Sequence, residues 1–234
     1  MSQKRLIVNA DDFGQSLGIN IGIIQAHEKG IVTSASLMVR YPAVDEAVAY
    51  LKSRDTLGVG LHLDLGEWFY SDGEWKALYE VVNLEDTKAV KGEVYRQLDI
   101  FKKLTGKIPT HIDSHQHVHL RENIFPVIKE FAQQLDVTLR RFSHKVKYCG
   151  NFYGQADDGS SYHKAIGVNT LQNVISAIPE GITELACHPG YVDDLPTMYT
   201  TERKIEVQTL CDQRILDAIK RNGIQLCSFK DISF

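Results

Sequence analysis

Short apolar segments alternate with longer segments of helical periodicity along most of the chain. The apolar segments are rich in β-branched residues and are bounded by Gly, Pro or Asp, a pattern typical of buried strands. Strands are predicted at Arg5 to Ala10, Ile31 to Val39, Leu57 to Leu63, Thr110 to His115, Val137 to Arg141, Ile182 to His188 and Ile224 to Phe229. The third of these strands contains two internal glycines, which predict a bend or the close approach of another backbone.

Helices are predicted in the intervals between the strands. Ser16 is a candidate N-cap for the first helix, and Gly30 is a candidate terminator. The predicted helices extend from Ser16 to Lys29, Ala43 to Arg54, Thr87 to Leu104, Glu122 to Gln134, Val168 to Ala177 and Glu202 to Asn222. This alternation favours parallel βαβ units, arranged either as an open doubly wound sheet or as a barrel. We predict an α/β fold in which about seven parallel strands form a distorted (β/α) barrel, with residues 1–234 in a single domain.

Two segments interrupt the alternation. Gly66 to Asp86 is predicted to be an irregular insertion, and Ser143 to Gly167, rich in Gly, Ser, Asp and Tyr, a long loop. The insertion contains the aromatic residues Trp68, Phe69, Tyr70, Trp75 and Tyr79. Aromatic faces stack on sugar rings, but they also pack beneath lids and in subunit interfaces. The composition of the insertion therefore leaves sugar binding and these structural uses open.

Composition narrows the class of protein. The 234 residues are 43% hydrophobic and 24% charged, and the formal net charge is −4, so there is no basic surface that predicts nucleic-acid binding. The four cysteines form no CxxC motif, which favours free thiols in a reducing compartment. No apolar segment approaches the length of a membrane span or of a signal-peptide core. A cytoplasmic protein with no membrane partner is expected.

Polar residues follow the predicted strands at the positions where those strands end. They are Asp11 and Asp12 after the first strand, His62 in the third, His115 in the fourth, Arg140 in the fifth and His188 in the sixth. In parallel α/β folds the carboxyl ends of the strands meet at one edge, where catalytic residues gather. The active site is therefore predicted at this edge.

The segment THIDSHQHVHL, from Thr110 to Leu120, contains four of the nine histidines. In a strand His111, Asp113 and His115 would project to the same face, which places imidazoles and a carboxylate together. These groups are ligands for a divalent metal. A polar strand end whose histidines bind backbone groups or face solvent is the structural alternative.

The paired aspartates allow a division of labour, in which one carboxylate binds metal and the other acts as a general base. Consecutive strand residues point to opposite faces, so Asp11 and Asp12 share a site only if the strand has ended before them. The alternative is that one of them caps the following helix. Asp64, two residues after His62, is interpreted either as a carboxylate that orients His62 or as a surface residue.

The segments NADDFG, GIVTSASLM, GLHLDL, THIDSHQHVH and ACHPGY together resemble the YdjC-like carbohydrate deacetylases. This family includes bacterial enzymes that remove acetyl groups from chitooligosaccharides. The resemblance implies that Asp12, His62 and His115 bind the metal, either Mg²⁺ or Zn²⁺, and that Asp11 is the catalytic base. It also implies a distorted (β/α) barrel, a homodimer and an acetylated oligosaccharide as substrate.

The reaction expected from these residues is metal-assisted hydrolysis of an N-acetyl amide. His188, in ACHPGY, is the candidate donor of a proton to the leaving amine; alternatively it is a structural histidine before a Pro-Gly turn. His117, His119 and Arg140 are weaker candidates for supporting or substrate contacts. The remaining histidines, His27, His144 and His163, are expected at the surface.

Three alternatives remain at this stage. A non-haem iron oxygenase also uses two histidines and a carboxylate, but its usual architecture conflicts with the alternation of strands and helices. A metal-stabilised sugar-binding protein would have no need of a base beside the metal. A phosphoesterase requires a cluster of positive phosphate contacts, for which the strand ends offer Arg40, Arg140 and Arg141.

Overall fold

The structure is a computed structural model that describes residues 3–191, 195 and 197–232. Within these ranges the strands are β1 (Lys4–Phe13), β2 (Ser34–Leu37), β3 (Gly58–Leu63), β4 (Gly66–Ser71), β5 (Glu74–Glu80), β6 (His111–Ser114), β7 (Thr138–Leu139), β8 (Val146–Cys149), β9 (Gly181–Cys187) and β10 (Gln225–Leu226). The helices are α1 (Leu17–Lys29), α2 (Val44–Ser53), α3 (Thr87–Thr105), α4 (Phe125–Leu135), α5 (Val168–Ser176), α6 (Thr201–Leu210) and α7 (Gln213–Arg221). None of the described helices is both long and apolar enough to cross a bilayer.

Seven parallel strands form the main sheet, in the order β7-β6-β3-β2-β1-β9-β8, and β10 adds a short pairing to the start of β1. The sheet curls into a half-barrel. Arg140 follows β7, at one end of the strand order. It donates a hydrogen bond to Glu184 of β9, near the other end of that order. A side chain spans that separation only because the sheet closes around it. The predicted distorted barrel of about seven strands is confirmed.

Strand β1 is central, and its two faces have different environments. Leu6, Val8 and Ala10 belong to the main hydrophobic core, whereas Ile7 packs in a small separate cluster with Val146, Cys227, Phe229 and Ile232. Burial on both faces explains why this strand is a continuous apolar run rather than an alternating one. The face of Ile7 continues through Asn9 to Asp11, which places the first aspartate inside the curl of the sheet.

The end of β1 differs from the prediction. The strand does not stop before the aspartates; it continues to Phe13, and its register with β2 shifts between Ala10 and Phe13. Asp12 adopts a left-handed backbone conformation with φ of 69°. This irregularity breaks the alternation of faces, so consecutive aspartates point into the same space although both belong to one strand.

The predicted irregular insertion is an antiparallel hairpin of β4 and β5. Its turn residues Asp72 and Gly73 both have positive φ, 56° and 85°, and the Asp-Gly pair favours such a turn. The loop Ser143 to Gly167 contains the edge strand β8, which pairs with β9. The predicted final helix is two helices, because Asp212 accepts from the backbone of Arg214 and caps α7.

The predicted histidine strand is short. Strand β6 ends at Ser114, and His115–Leu120 forms a 3₁₀ segment with Gln116 and His117 in the left-handed region. His111 and Asp113 do share a face, since both lie against the Ser36 hydroxyl. His115, however, is placed by the turn that follows the strand.

Candidate active site

The carboxyl ends of the strands open into a cavity of about 550 Å³. All five residues predicted to form the site line this cavity, namely Asp11, Asp12, His62, His115 and His188. The sequence rule that functional residues gather at the strand ends therefore places them correctly together. The roles assigned to them stay predictions at this point.

Asp12, His62 and His115 form a buried cluster. Oδ1 of Asp12 lies 3.2 Å from Nε2 of His62 and 3.0 Å from Nδ1 of His115. Oδ2 of Asp12 accepts a hydrogen bond from Nη2 of Arg203 at 2.6 Å. Burial opposes ionisation, but Arg203 and the imidazoles hold the pKa of Asp12 well below its usual range. The carboxylate is therefore ionised at neutral pH.

The donor set suits a divalent cation. One oxygen of Asp12 and one nitrogen of each imidazole lie within 4.8 Å of one another, and all three residues are buried. One carboxylate with two imidazoles, converging on one point, is the ligand chemistry of zinc and related divalent metals. The residues present fit a metal centre.

His62 is oriented by Asp113, whose Oδ1 lies 2.7 Å from Nδ1 of the ring. The interpretation that Asp64 orients His62 is wrong, and so is its alternative as a surface residue. Asp64 is fully buried and accepts from Arg40 and Tyr79. Residues 62 and 64 share a strand face, but β3 ends at Leu63, so Asp64 turns away toward the hairpin.

Asp11 is held by Arg140 through two hydrogen bonds, from Nη1 at 2.6 Å and from Nη2 at 2.8 Å. Asn9 donates a third hydrogen bond to Oδ1 at 2.9 Å. Burial raises the pKa of this carboxyl, but the guanidinium outweighs it and keeps the pKa of Asp11 below its usual range. Asp11 is thus an ionised carboxylate fixed in orientation beside the Asp12–His62–His115 cluster.

Arg140 serves three carboxylates. Besides Asp11 it contacts Asp113 through Nη2 at 2.8 Å and Glu184 through Nε at 2.7 Å, and it is itself fully buried. One guanidinium does not balance three buried carboxylates. Burial and the two aspartates raise the pKa of Glu184 to about 7, although Arg140 opposes the shift. Arg140 therefore supports the site rather than offering a free charge to the cavity.

His188 directly follows β9 and lines the cavity beside Asp11. Its Nε2 lies 3.7 Å from Oδ2 of Asp11, and its ring packs against Tyr153 and Tyr199 with centroids 5.4 Å apart in each case. Glu206 accepts from its backbone N–H. Burial lowers the pKa of His188 to about 4. The imidazole is therefore neutral at pH 7, next to the ionised Asp11.

The other histidines have structural partners. His111 stacks on Phe229 with centroids 3.9 Å apart, and Nδ1 of His119 lies 2.8 Å from the Ser114 hydroxyl. His117 lines the cavity and contacts the Tyr148 hydroxyl at 3.2 Å. His144 and His163 are exposed as expected. His27 is partly buried and contacts the Val32 carbonyl and the Thr56 hydroxyl.

Arg203 and Glu206 of α6 were not identified from the sequence. They fall at positions i and i+3 of the helix and share its buried side with Val207 and Leu210. Charged residues within a buried stripe are unusual unless they are paired, so this pattern was the available signal. Glu184, in the apolar strand β9, gives the same signal.

Three comparisons identify similar proteins. The family model described as YdjC-like protein matches residues 5–221. A carbohydrate deacetylase of Geobacillus stearothermophilus is 33% identical, covering 96% of each chain. A chitooligosaccharide deacetylase of Serratia marcescens is 30% identical over 98% of this chain and 100% of its own length. A crystal structure of a putative cellobiose-phosphate cleavage protein of Enterococcus faecalis superposes over 100% of both chains, with a TM-score of 0.79 and 27% identity.

Proposed function

This chain belongs to the YdjC-like protein family, and from that premise we propose that it is a metal-dependent carbohydrate deacetylase. It hydrolyses the N-acetyl group of acetylated, chitooligosaccharide-like sugars and releases acetate. The observation that carries the proposal is the buried Asp12–His62–His115 cluster with the Arg140-held Asp11 beside it. Relatives named carbohydrate and chitooligosaccharide deacetylases support the substrate class.

Asp12, His62 and His115 would hold the metal, Mg²⁺ or Zn²⁺. When bound, a divalent ion acts as a Lewis acid that polarises the amide carbonyl and stabilises negative charge on its oxygen. The carboxylate oxygen of Asp12 suits Mg²⁺, whereas the two imidazoles suit Zn²⁺. We propose Mg²⁺ as the bound metal, with Zn²⁺ as the alternative.

Asp11 acts as the general base. It accepts a proton from the water that attacks the acetyl carbon, while Arg140 and Asn9 hold its carboxylate in place. A carbon–oxygen bond forms at the acetyl carbon, and the carbon–nitrogen bond then breaks to give acetate and a free amine. The leaving nitrogen needs a proton in that second step.

His188 supplies that proton. Because its imidazole is neutral in the resting site, it must first take up a proton, and Oδ2 of Asp11 is 3.7 Å from its Nε2. The proton accepted by Asp11 is thus adjacent to the group that delivers it to the amine. Glu206 fixes the backbone of His188 during this transfer.

The cavity has a wall suited to a sugar. Trp68 and Trp75 of the β4–β5 hairpin line it together with Tyr148 and Tyr153. Aromatic faces of this kind pack on the apolar faces of pyranose rings while polar residues bind the hydroxyls. This supports sugar contact for Trp68 and Trp75 of the insertion, whereas Tyr79 bonds to Tyr41 and Asp64 instead.

The alternatives are less well supported. Two of the three arginines that a phosphoesterase would use are already paired, Arg40 with Asp64 and Arg140 with three carboxylates. A pure sugar-binding protein does not require the second aspartate with its dedicated arginine. An iron oxygenase of the usual double-stranded β architecture conflicts with the half-barrel of parallel strands.

The test is acetate release from di-N-acetylchitobiose and other acetylated sugars. Protein stripped by a chelator is reloaded with Mg²⁺ or Zn²⁺, and acetate, free amine and sugar chain length are all measured. We expect metal-dependent acetate in equal amount with new amine and no shortening of the chain. Shortened sugar, or glucose from phosphorylated cellobiose, would indicate glycosidic cleavage instead. Bound metal without acetate from any sugar would contradict the proposal.

We propose further that residues 1–234 act as a single domain and that the protein is a cytoplasmic homodimer. The cysteines Cys149, Cys187, Cys211 and Cys227 are free thiols, which supports a reducing compartment. Light scattering after gel filtration tests the dimer, for which we expect twice the mass of 26.4 kDa.

A further inference from the structure

The second imidazole of the metal cluster has its own carboxylate partner. His115 directs Nδ1 toward Asp12, and its opposite ring nitrogen, Nε2, lies 3.6 Å from Oε2 of Glu67. Both side chains are nearly buried, at 10% and 8% exposure. Nε2 has no hydrogen bond within the described part of the chain. A buried N–H in this position is satisfied if Glu67 moves closer by a few tenths of an ångström.

The arrangement repeats the one at His62. There Nε2 faces Asp12, and Nδ1 bonds to Asp113. A carboxylate on the outer nitrogen of a metal-binding histidine fixes the tautomer, orients the ring and strengthens the inner nitrogen as a ligand. Asp113 performs this task from the rigid barrel strand β6. Glu67 would perform it from β4 of the hairpin, which is outside the main sheet.

The local backbone of the hairpin directs Glu67 inward. The register of β4 and β5 shifts between Glu67 and Trp68, where β5 has Leu78 as an extra residue. Such a bulge redirects a side chain and increases the twist of a hairpin. Gly66 precedes it with φ of 150°, and a Cβ there would lie 2.8 Å from the Trp68 ring and 2.9 Å from the Tyr79 carbonyl. The sequence at the start of β4 thus permits this turn of the chain.

Gln116 attaches the hairpin to the metal-binding turn. Its side chain accepts from the Trp68 N–H at 2.8 Å and donates to the Trp68 carbonyl at 2.8 Å. The amide thus pairs with β4 as a neighbouring strand would. Gln116 and His117 both adopt left-handed backbone conformations, which are strained for residues other than glycine. Gln116 directly follows His115, so the attachment and the metal ligand belong to the same turn.

We propose that Glu67 is a positioning residue for the metal ligand His115, and that Gln116 docks the hairpin so that Glu67 can act. The aromatic wall of the cavity and the metal centre are then coupled, because Trp68 is adjacent to Glu67 and bonded to Gln116. A sugar that packs on Trp68 stabilises the docked hairpin and tightens the metal site. By thermodynamic linkage, bound metal tightens sugar binding by the same factor. This inference rests on the metal site of the proposed function.

The experiment measures metal affinity directly, by competition of Zn²⁺ with a chromophoric chelator, and the visible spectrum of the Co²⁺-loaded protein. Glu67→Ala should weaken metal binding about 10-fold or more, the usual effect of losing such a partner, and should change the Co²⁺ spectrum. Glu67→Gln, which keeps an acceptor but loses the charge, should fall between Glu67→Ala and the parent protein. Gln116→Ala should weaken binding in the same direction.

Glu80→Ala is the matched control. Glu80 is exposed on the same hairpin and pairs with Gly66, the neighbour of Glu67. It should leave both metal affinity and spectrum unchanged, which separates loss of Glu67 from general damage to the hairpin. In the double variant Glu67→Ala/Gln116→Ala the losses should be less than additive, because both act through the same contact.

The outcomes separate the two proposals. A parent protein that binds no metal overturns both the proposed function and this inference. A parent that binds metal, with Glu67→Ala and Glu67→Gln binding equally well and giving the same Co²⁺ spectrum, overturns the inference alone. Equal losses in Glu67→Ala and Glu80→Ala also overturn it. Addition of a nonhydrolysed sugar should tighten Zn²⁺ binding in the parent but not in Gln116→Ala.

Discussion

The two adjacent aspartates have different partners and therefore different chemistry. Asp11 is held by Arg140 from the edge of the barrel, whereas Asp12 is held by Arg203 from α6 and faces two imidazoles. The left-handed conformation of Asp12 makes this possible, because it points consecutive side chains into one site. A single irregular residue thus separates the proposed base from the proposed metal ligand.

Asp11→Asn tests that separation. The amide keeps the size of the side chain but cannot accept a proton, so kcat should fall about 10²–10⁴-fold, the usual contribution of a general base. Metal affinity should be retained, since Asp12, His62 and His115 are unchanged. Acetate release and Zn²⁺ competition are measured on the same preparation. The comparison variant Asp12→Asn should lose metal and activity together; loss of metal from Asp11→Asn would mean that the two roles are reversed.

The buried carboxyl of Glu206 should make the free energy of unfolding depend on pH. Burial raises its pKa to about 8 from 4.5, although Tyr199 and the His188 N–H oppose the shift. The folded state therefore holds this proton between pH 4.5 and 8 while the unfolded state releases it. The free energy of unfolding should accordingly fall as pH rises through this interval, by at most about 1.4 kcal/mol per pH unit.

Glu206→Gln removes the titrating carboxyl. The free energy of unfolding of the variant should therefore rise relative to that of the parent as pH increases from 5 to 9. Urea unfolding at several pH values measures the difference. Glu122→Gln, which removes an exposed carboxylate before α4, is the control. A stability difference between Glu206→Gln and the parent that does not change with pH would contradict the expected titration.

The sequence predicted that the five proposed site residues lie together, because their positions at strand ends and their chemistry both indicated it. The structure places all five in one cavity. The sequence indicated the wrong carboxylate partner for His62. The partner is Asp113 rather than Asp64, because the pairing of β3 with β6 places Asp113 beside His62. The sequence also missed Arg203. The buried charges of α6 indicate that Arg203 has a partner, but only the packing of α6 against α1 shows that the partner is Asp12.

Among the elements, β3 shows how a glycine in a strand positions the site. A close approach was predicted there, and the structure places a side chain rather than a backbone against Gly60. A Cβ at this position would lie 2.5 and 2.6 Å from the ring nitrogens of His111. Phe229 stacks on the other face of that ring. His111 is thus enclosed between the strand and the chain that follows β10.

Gly60→Ala should therefore destabilise the protein by about 1–3 kcal/mol through overpacking. Gly92→Ala is the matched control, because no atom lies within 4 Å of a Cβ there and the residue is within α3. In a helix the same change should stabilise by about 0.5–1 kcal/mol. Urea unfolding measures both. Equal effects of the two substitutions would show that the His111 ring yields to the new methyl group.

Element prediction succeeded where periodicity is long and failed where tertiary pairing decides. The helices α1, α3 and α4 were predicted close to their observed bounds because their apolar stripes and end signals agree. The edge strand β8 was not predicted, since Val146–Cys149 is a short segment that becomes a strand only beside β9. The hairpin was missed although its Asp-Gly turn is a recognised signal.

At the scale of the whole molecule, the metal should contribute to stability. The proposed ligands come from β1, β3 and the turn after β6, so bound metal links segments that are far apart in the chain. Metal at 100 times its Kd should add about 2.7 kcal/mol. For a chain of this size that corresponds to a rise in Tm of about 5–11 °C.

Thermal unfolding with and without a chelator measures this shift. His115→Ala should show no rise in Tm on addition of metal, which makes it the control for ions that bind elsewhere. A Tm that is the same with and without metal in the parent, at saturating concentration, would contradict a metal site formed only in the folded protein.

The barrel architecture was predictable because the alternation of strands and helices leaves few arrangements. The incomplete closure was not. The sheet ends at β7 and β8, and within the described residues Arg140 links the strands on either side of that gap through Asp113 and Glu184. A single buried cation that joins distant strands leaves no signature in hydrophobic periodicity.

The two arginines lie far along the sequence from the aspartates that they hold, and this affects the order in which the site can form during synthesis. Asp11 is separated from Arg140 by 129 positions, and Asp12 from Arg203 by 191. During synthesis both aspartates therefore emerge from the ribosome well before the arginines that hold them. The first strands of the barrel can collapse in that period, but Asp12 gains its arginine only when α6 has emerged. The N-terminal strands therefore cannot form the proposed site by themselves, because Arg140 and Arg203 are needed to complete it.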